Sequence, residues 1–129
     1  MKKLTEKAEI YKCEKCGNTI LILDSGKGNL VCCDAPMKLL SEQTADFKNE
    51  KHVPVVEKSG SGIKVTVGST IHPMTPEHHI VMIAVIDGDN LMIHQLSPGD
   101  EPVAYFPCTN ADVKAIEYCN IHNLWANKK

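Results

Sequence analysis

The chain contains no apolar run long enough to cross a bilayer. Its longest wholly apolar run, Ile80 to Ile86, falls far short of the ~20 residues that a spanning helix requires. No secretory leader is expected either. Met1-Lys2-Lys3 leads into Thr5, Glu6, Lys7 and Glu9, where an apolar stretch would have to stand, so a cytoplasmic protein is expected. An excess of one charge is also absent. With a net charge of -2 and a pI near 6.3 there is no electrostatic ground for expecting nucleic acid or a membrane as partner, and any attraction for an anion has to be local. Aromatics make up only 5% of residues, but a hydrophobic share of 43% over 129 residues is ordinary for one globular core with a small appendage. No repeat, low-complexity tract or heptad is present.

What the chain does have is six cysteines, at positions 13, 16, 32, 33, 108 and 119. In a reducing compartment, clustered cysteines are metal ligands rather than disulfides. Cys13-x-x-Cys16 and the adjacent pair Cys32-Cys33 give the four thiolates a tetrahedral ion wants. The pattern around them predicts strands over Glu9–Cys13, Thr19–Leu23 and Leu30–Cys33, a knuckle turned by Gly17 and Asn18, and a stop at Asp34-Ala35-Pro36. Neighbouring side chains on a strand point to opposite faces, so Cys32 and Cys33 are expected to reach one ion only through a sharp backbone twist that distorts the tetrahedron. Zinc and iron fit these donors equally, although zinc ribbons normally carry a second Cys-x-x-Cys. A segment of about forty residues buries too little apolar surface to fold unaided, so its metal must serve as its core.

Residues 41–49 are polar and read as a linker. Beyond them, strands alternate with turn chemistry: Val53–Glu57, the turn Ser59-Gly60-Ser61-Gly62, then Ile63–Val67 with clean alternation. Ile80–Ile86 and Leu91–Leu96 form a hairpin through Asp87-Gly88-Asp89-Asn90, with Ile80–Ile86 expected to be buried on both faces. Val103–Phe106 and Val113–Tyr118 follow. Six or seven short strands at this spacing predict a mainly β protein with an immunoglobulin-like β-sandwich lacking the antibody disulfide.

The second group of donors is the more unusual. Cys119 and His122 lie two residues apart in Tyr118-Cys119-Asn120-Ile121-His122, a spacing that lets a tight turn bring both to one ion. His52 lies in Glu50-Lys51-His52-Val53-Pro54, and His72 and His78 in His72-Pro73-Met74-Thr75-Pro76-Glu77-His78. Zinc would be satisfied by four of these five. All five suit a square-pyramidal iron with the thiolate at the apex and an open position opposite the sulfur, where the thiolate pushes electron density onto a bound ligand.

Taken in order, these motifs resemble the desulfoferrodoxin family, the two-iron form of superoxide reductase, from about Tyr11 to Trp125. The resemblance implies a small desulforedoxin-like, rubredoxin-type domain over residues 1–40 whose iron is held by Cys13, Cys16, Cys32 and Cys33. It further implies a sandwich domain over residues 41–129 whose iron is held by His52, His72, His78, Cys119 and His122. The implied activity is one-electron reduction of superoxide to hydrogen peroxide without dioxygen, in a homodimer fed by rubredoxin or a similar small electron donor. Lys51 falls where a mobile-loop lysine attracts the superoxide anion, and Glu50 where a carboxylate becomes the sixth ligand of the ferric iron. Two positions depart from the pattern. Asn123 replaces a Gly expected after His122, and Asn tolerates left-handed backbone well enough to preserve the turn. His79 stands where an aromatic often follows, and it offers a decoy ligand.

His79 and His94 otherwise read as ordinary histidines, Cys108 as a small buried hydrophobe, Met74 as packing and Trp125 as a C-terminal core anchor. Rival functions are a non-catalytic zinc-ribbon and β-sandwich binding module, a pure electron carrier using the all-thiolate iron, and a dismutase.

Overall fold

The computed structural model describes residues 5–44, 52–68 and 73–127. Among these it contains twelve strands and no helix, and the chain divides into two compact units, Met1–Ser41 and Glu42–Lys129.

In the first unit, β1 (Ile10–Lys12) pairs antiparallel with β2 (Thr19–Leu21) on one side and β5 (Lys38–Leu39) on the other. The buried apolar side chains here are few: Ile10, Tyr11, Cys13, Ile22 and Leu40. β3 (Val31–Cys32) and β4 (Ala35–Pro36) form a separate hairpin, with Val31 opposite Pro36 and Cys32 opposite Ala35. The expected stop at Asp34-Ala35-Pro36 is therefore a reversal. Its two central residues, Cys33 and Asp34, have φ of 55° and 60°, the left-handed backbone that a type I′ turn demands.

The second unit holds seven antiparallel strands in two sheets. β6 (Pro54–Ser59), β7 (Gly62–Val67) and β10 (Val103–Phe106) form one, in the order β10-β7-β6. β8 (Ile80–Asp87), β9 (Asn90–Gln95), β11 (Lys114–Cys119) and β12 (Asn123–Ala126) form the other, in the order β12-β11-β8-β9. The alternation read in β7 buries Ile63, Val65 and Val67. Their core partners include Ile80, Ile83 and Val85 of β8, Ala104 and Phe106 of β10, and Val113, Ala115 and Cys119 in and beside β11. Gly62 is required by space, because a Cβ there would stand 2.4 Å from the Phe106 carbonyl oxygen. This is the β-sandwich that the strand spacing predicts, and β8 has no exposed residue along its length.

Two features add to what the sequence indicates. The C-terminal stretch forms a full strand, β12, whose Trp125 is buried as anticipated. The presumed linker is also tied down at its start, since Gln43 N–H donates to Leu124 O (3.1 Å) and Gln43 O accepts from Ala126 N–H (2.8 Å). Parallel pairing at Gln43 thus covers part of the β12 edge; residues 45–49 lie outside those described.

One buried group stands against the apolar pattern. Glu117 is opposite Ile83 on one side and Trp125 on the other, on the same strand face as Ala115 and Cys119. It is 0% exposed, and neither carboxylate oxygen has a hydrogen-bond partner among the described residues. Desolvation pushes its pKa well above the ordinary glutamate value of 4.5, so the carboxyl is held neutral where an exposed Glu would ionise. Above pH 4.5 the unfolded chain gives up this proton while the folded one keeps it, so stability falls as pH rises, up to the folded pKa. Glu117→Gln is expected to remove a slope of about 1.4 kcal/mol per pH unit across that window. Urea unfolding of both proteins at a series of pH values checks this; parallel curves would contradict it.

Candidate metal centres

The first centre is built from the β1–β2 knuckle and the β3–β4 hairpin. Cys13 N–H donates to Asn18 O (2.8 Å), Gly17 N–H donates to Cys13 O (2.8 Å), and Gly17 adopts φ 87° to close the turn. Cys16 N–H points at Cys13 Sγ (3.4 Å). Because Cys33 is a left-handed turn residue rather than the next residue of a strand, strand alternation does not govern it, and both neighbouring sulfurs converge. The Cys16–Cys32 and Cys32–Cys33 sulfur distances are 3.6 and 3.9 Å. A tetrahedral ion with metal–sulfur bonds of about 2.3 Å needs sulfurs about 3.8 Å apart, so the expected distortion is not seen in these pairs. All four sulfurs lie within 4.8 Å of one another.

The crowding of the four sulfurs sets their acidities apart. The Cys16 backbone N–H lowers the Cys13 thiol to about 6, whereas sharing hydrogen bonds with Cys16 and Cys13 pushes Cys32 up to about 12, and Cys16 also raises Cys33. Four crowded sulfurs cannot all ionise unless a cation neutralises them. Cys13 is buried while Cys16 and Cys33 are exposed, so this centre meets solvent on one side.

The second centre lies at one end of the sandwich, where four separate stretches deliver donors. His52 lies two residues before β6, His78 lies in the loop entering β8, Cys119 ends β11 and His122 lies in the β11–β12 turn. Their donor atoms are mutually within 4.8 Å. His122 Nδ1 is 3.0 Å from His52 Nε2, and the ring centroids of His78 and His122 are 4.9 Å apart. The β8–β11 register shifts between Tyr118 and Cys119, with Cys119 opposite Ile80, a bulge that re-aims the strand end where the sulfur is needed. Asn123 has φ 69°, so the turn after His122 survives the replacement of Gly.

Sequence reasoning missed several supports. The Trp125 indole stacks on the His52 ring (centroids 4.7 Å, 16° between planes), and its N–H donates to His122 O (2.9 Å). Gln43 Nε2 donates to the same carbonyl (2.9 Å). Trp125 therefore does more than anchor a terminus, though only its size and rarity marked it in the sequence. His79 is not in the donor group, and its Nδ1 lies 3.1 Å from Thr75 O. Cys108 is buried against Asp87 Oδ2 and Asn110 O (3.3 Å each), and the Met74 sulfur accepts the Ile80 N–H (3.4 Å). His72, Glu50 and Lys51 lie outside the described residues.

A cluster of four sulfurs and a mixed cluster of imidazoles with one sulfur, on a small β unit and a sandwich, define a two-centre non-haem metalloprotein. The Desulfoferrodoxin family model matches residues 44–128, and the model of the desulfoferrodoxin N-terminal domain matches residues 5–40. A desulfoferrodoxin of Syntrophotalea carbinolica is 50% identical over 125 residues, covering 97% of this chain and 99% of that one. One from Nitratidesulfovibrio vulgaris is 52% identical over 118 residues, covering 91% and 93%. The crystal structure of the superoxide reductase from Treponema pallidum superposes with a TM-score of 0.76 at 31% identity, covering 93% and 97%. This chain belongs to the desulfoferrodoxin family. The two donor groups fit that family's two iron ions: thiolates alone in one, and in the other a thiolate with imidazoles, the ligand types suited to iron.

Removing both metals under reducing conditions is expected to unfold residues 5–40, whose apolar core is a handful of side chains, while the sandwich stays folded. Amide hydrogen exchange resolved by segment checks this: protection should vanish around β1 and persist through β7, β8 and β11. Equal protection in both units would contradict it.

Proposed function

We propose that this protein is a superoxide reductase, an oxidoreductase that converts superoxide to hydrogen peroxide at the histidine–cysteine centre. The observation that carries the reading is the graded exposure of that donor group. Cys119 is fully buried and His52 nearly so, His78 is half-buried, and His122 is exposed. Sulfur donates from the dry core, while the imidazole side meets solvent, where a small anion arrives. When bound, iron would supply one-electron chemistry, solvent the two protons that complete hydrogen peroxide, and an electron-donor protein the electron that superoxide takes up.

The residues divide the work. His52, His78, Cys119 and His122 would hold the iron together with His72, and Trp125 and the Gln43 amide fix His52 and the His122 backbone. Lys51, next in sequence to His52, draws superoxide in against a net charge of -2. Glu50, two residues before His52, would offer its carboxylate to the same iron. In the domain of residues 1–40, Cys13, Cys16, Cys32 and Cys33 hold the second iron, and the domain of residues 41–129 carries the catalytic one. The electron donor is rubredoxin or a similar small redox protein, the working form is a homodimer, and the compartment is the cytoplasm. The near-neutral charge gives neither nucleic acid nor membrane a role, and among the described residues no helix is long and apolar enough to cross a bilayer.

The deciding experiment exposes the reduced two-iron protein to superoxide and measures both products. Peroxide without dioxygen is expected; dioxygen released alongside peroxide would identify a dismutase, and no fast reaction would leave an electron carrier. Lys51→Ala is expected to slow the second-order encounter roughly tenfold and to flatten its ionic-strength dependence without loss of iron. Pulse radiolysis across a salt series reads both effects, and unchanged kinetics would remove Lys51 from the steering role.

A further inference from the structure

Two histidines stand side by side in the loop that enters β8, and the chain must offer one of them to the donor group. Imidazoles at neighbouring positions are chemically alike, so discrimination has to come from backbone register. The sheet ladder stops at the Cys119–Ile80 pair, one residue short of His79 and two short of His78, and a register shift directly precedes that pair.

The missing constraint is Asn120, the residue directly after Cys119. Its side-chain Oδ1 accepts the His79 N–H (2.9 Å), its own N–H donates to His79 O (3.2 Å), and its Nδ2 donates to Glu77 O (3.1 Å). One residue therefore grips the chain on both sides of His78. Within the loop, Thr75 N–H donates to His78 O (2.9 Å) and His78 N–H to Thr75 O (3.1 Å), closing residues 75–78 into a small ring. The same Thr75 carbonyl lies 3.1 Å from His79 Nδ1, holding that ring away from the donors.

We infer that Asn120 is a positioning residue that sets the register of this loop, selecting His78 over His79 as the imidazole delivered beside Cys119. The inference rests on the second centre being an iron site. It goes beyond that reading by explaining how a chain with a decoy histidine keeps a single ligand set. Asn120 joins the loop to the strand end that carries the thiolate, so the two donors keep their relative placement before any ion arrives. Without the clamp, a slip of one residue puts His79 where His78 was.

The test uses the full-length two-iron protein and spectroscopy rather than turnover. Asn120→Ala is expected to split the EPR signal of the histidine–cysteine centre into two species, to broaden its thiolate absorption band, and to weaken iron retention against a chelator about 10- to 100-fold. His79→Gln alone should match the wild type. The double variant Asn120→Ala/His79→Gln should return to one species, because the competing ring is gone. A single unshifted species in Asn120→Ala overturns the inference, and so does a double variant as heterogeneous as the single one. If Asn120→Ala does not accumulate in folded form, Asn120→Asp carries the same comparison. It keeps an oxygen for the His79 N–H and loses the donor to Glu77 O. Superoxide consumption is measured in parallel. A wild type without reductase activity, beside a split spectrum in Asn120→Ala, overturns the proposed function and leaves the register assignment standing.

Discussion

The histidine–cysteine centre depends on a sulfur that has no freedom to move. Cys119 is part of the hydrophobic core, packed with Ile80, Val113 and Ala115 on the inner face of its sheet, so its position is set by the same close packing that holds the sandwich together. The donors around it come from loops, which are softer. The structure compensates by tying each loop to something rigid: His52 to the Trp125 ring, His122 to Trp125 and Gln43 through its carbonyl, and the His78 loop to Asn120. Precision here is borrowed from the core and passed outward through hydrogen bonds and one aromatic stack.

The four-cysteine centre inverts that relation. Its unit has few buried apolar side chains, and its sulfurs are brought together by turns: a knuckle closed at Gly17 and a hairpin whose tip is Cys33-Asp34. Left-handed backbone at two consecutive non-glycine residues costs free energy. An ion binding four thiolates offsets that cost many times over. In the sandwich the fold holds the metal; in the small unit the metal holds the fold.

Much of this was legible in the residues. The strand alternation of Ile63–Val67 marked the core, and the donor motifs contain every side chain that the structure gathers into the two groups. Asn123 was readable as a left-handed residue because Asn shares that tolerance with Gly. The return strand after Cys33 was hidden. Pro36 looks like a strand breaker, and nothing local announces that Cys33 and Asp34 will take positive φ, because the force that requires it is convergence of four sulfurs from distant positions. β12 escaped for a similar reason: Asn123–Ala126 is too short to show a period, and its pairing to β11 and to Gln43 is a tertiary fact. Glu117 was legible as a strand residue, but not as one that turns inward, since a carboxyl facing a core contradicts the usual pattern.

Glu117 and Cys119 lie two apart on one strand face, so two acidic groups share the same dry interior. Each would be costly to ionise there without a counter-charge. For Cys119 the counter-charge would be the metal of the histidine–cysteine centre. Glu117 has no such partner among the described residues and stays neutral, which keeps a second negative charge away from the sulfur. One more fixed anion in that core would favour the oxidised state of the metal, hindering its re-reduction, and would repel an incoming anion. A neutral carboxyl does neither. The exposed side of the centre, at His122, then faces solvent with a field set by nearby surface groups. A chain of slightly negative net charge can work on an anion under those conditions, because local attraction at the mouth is not cancelled by a charge buried behind the metal.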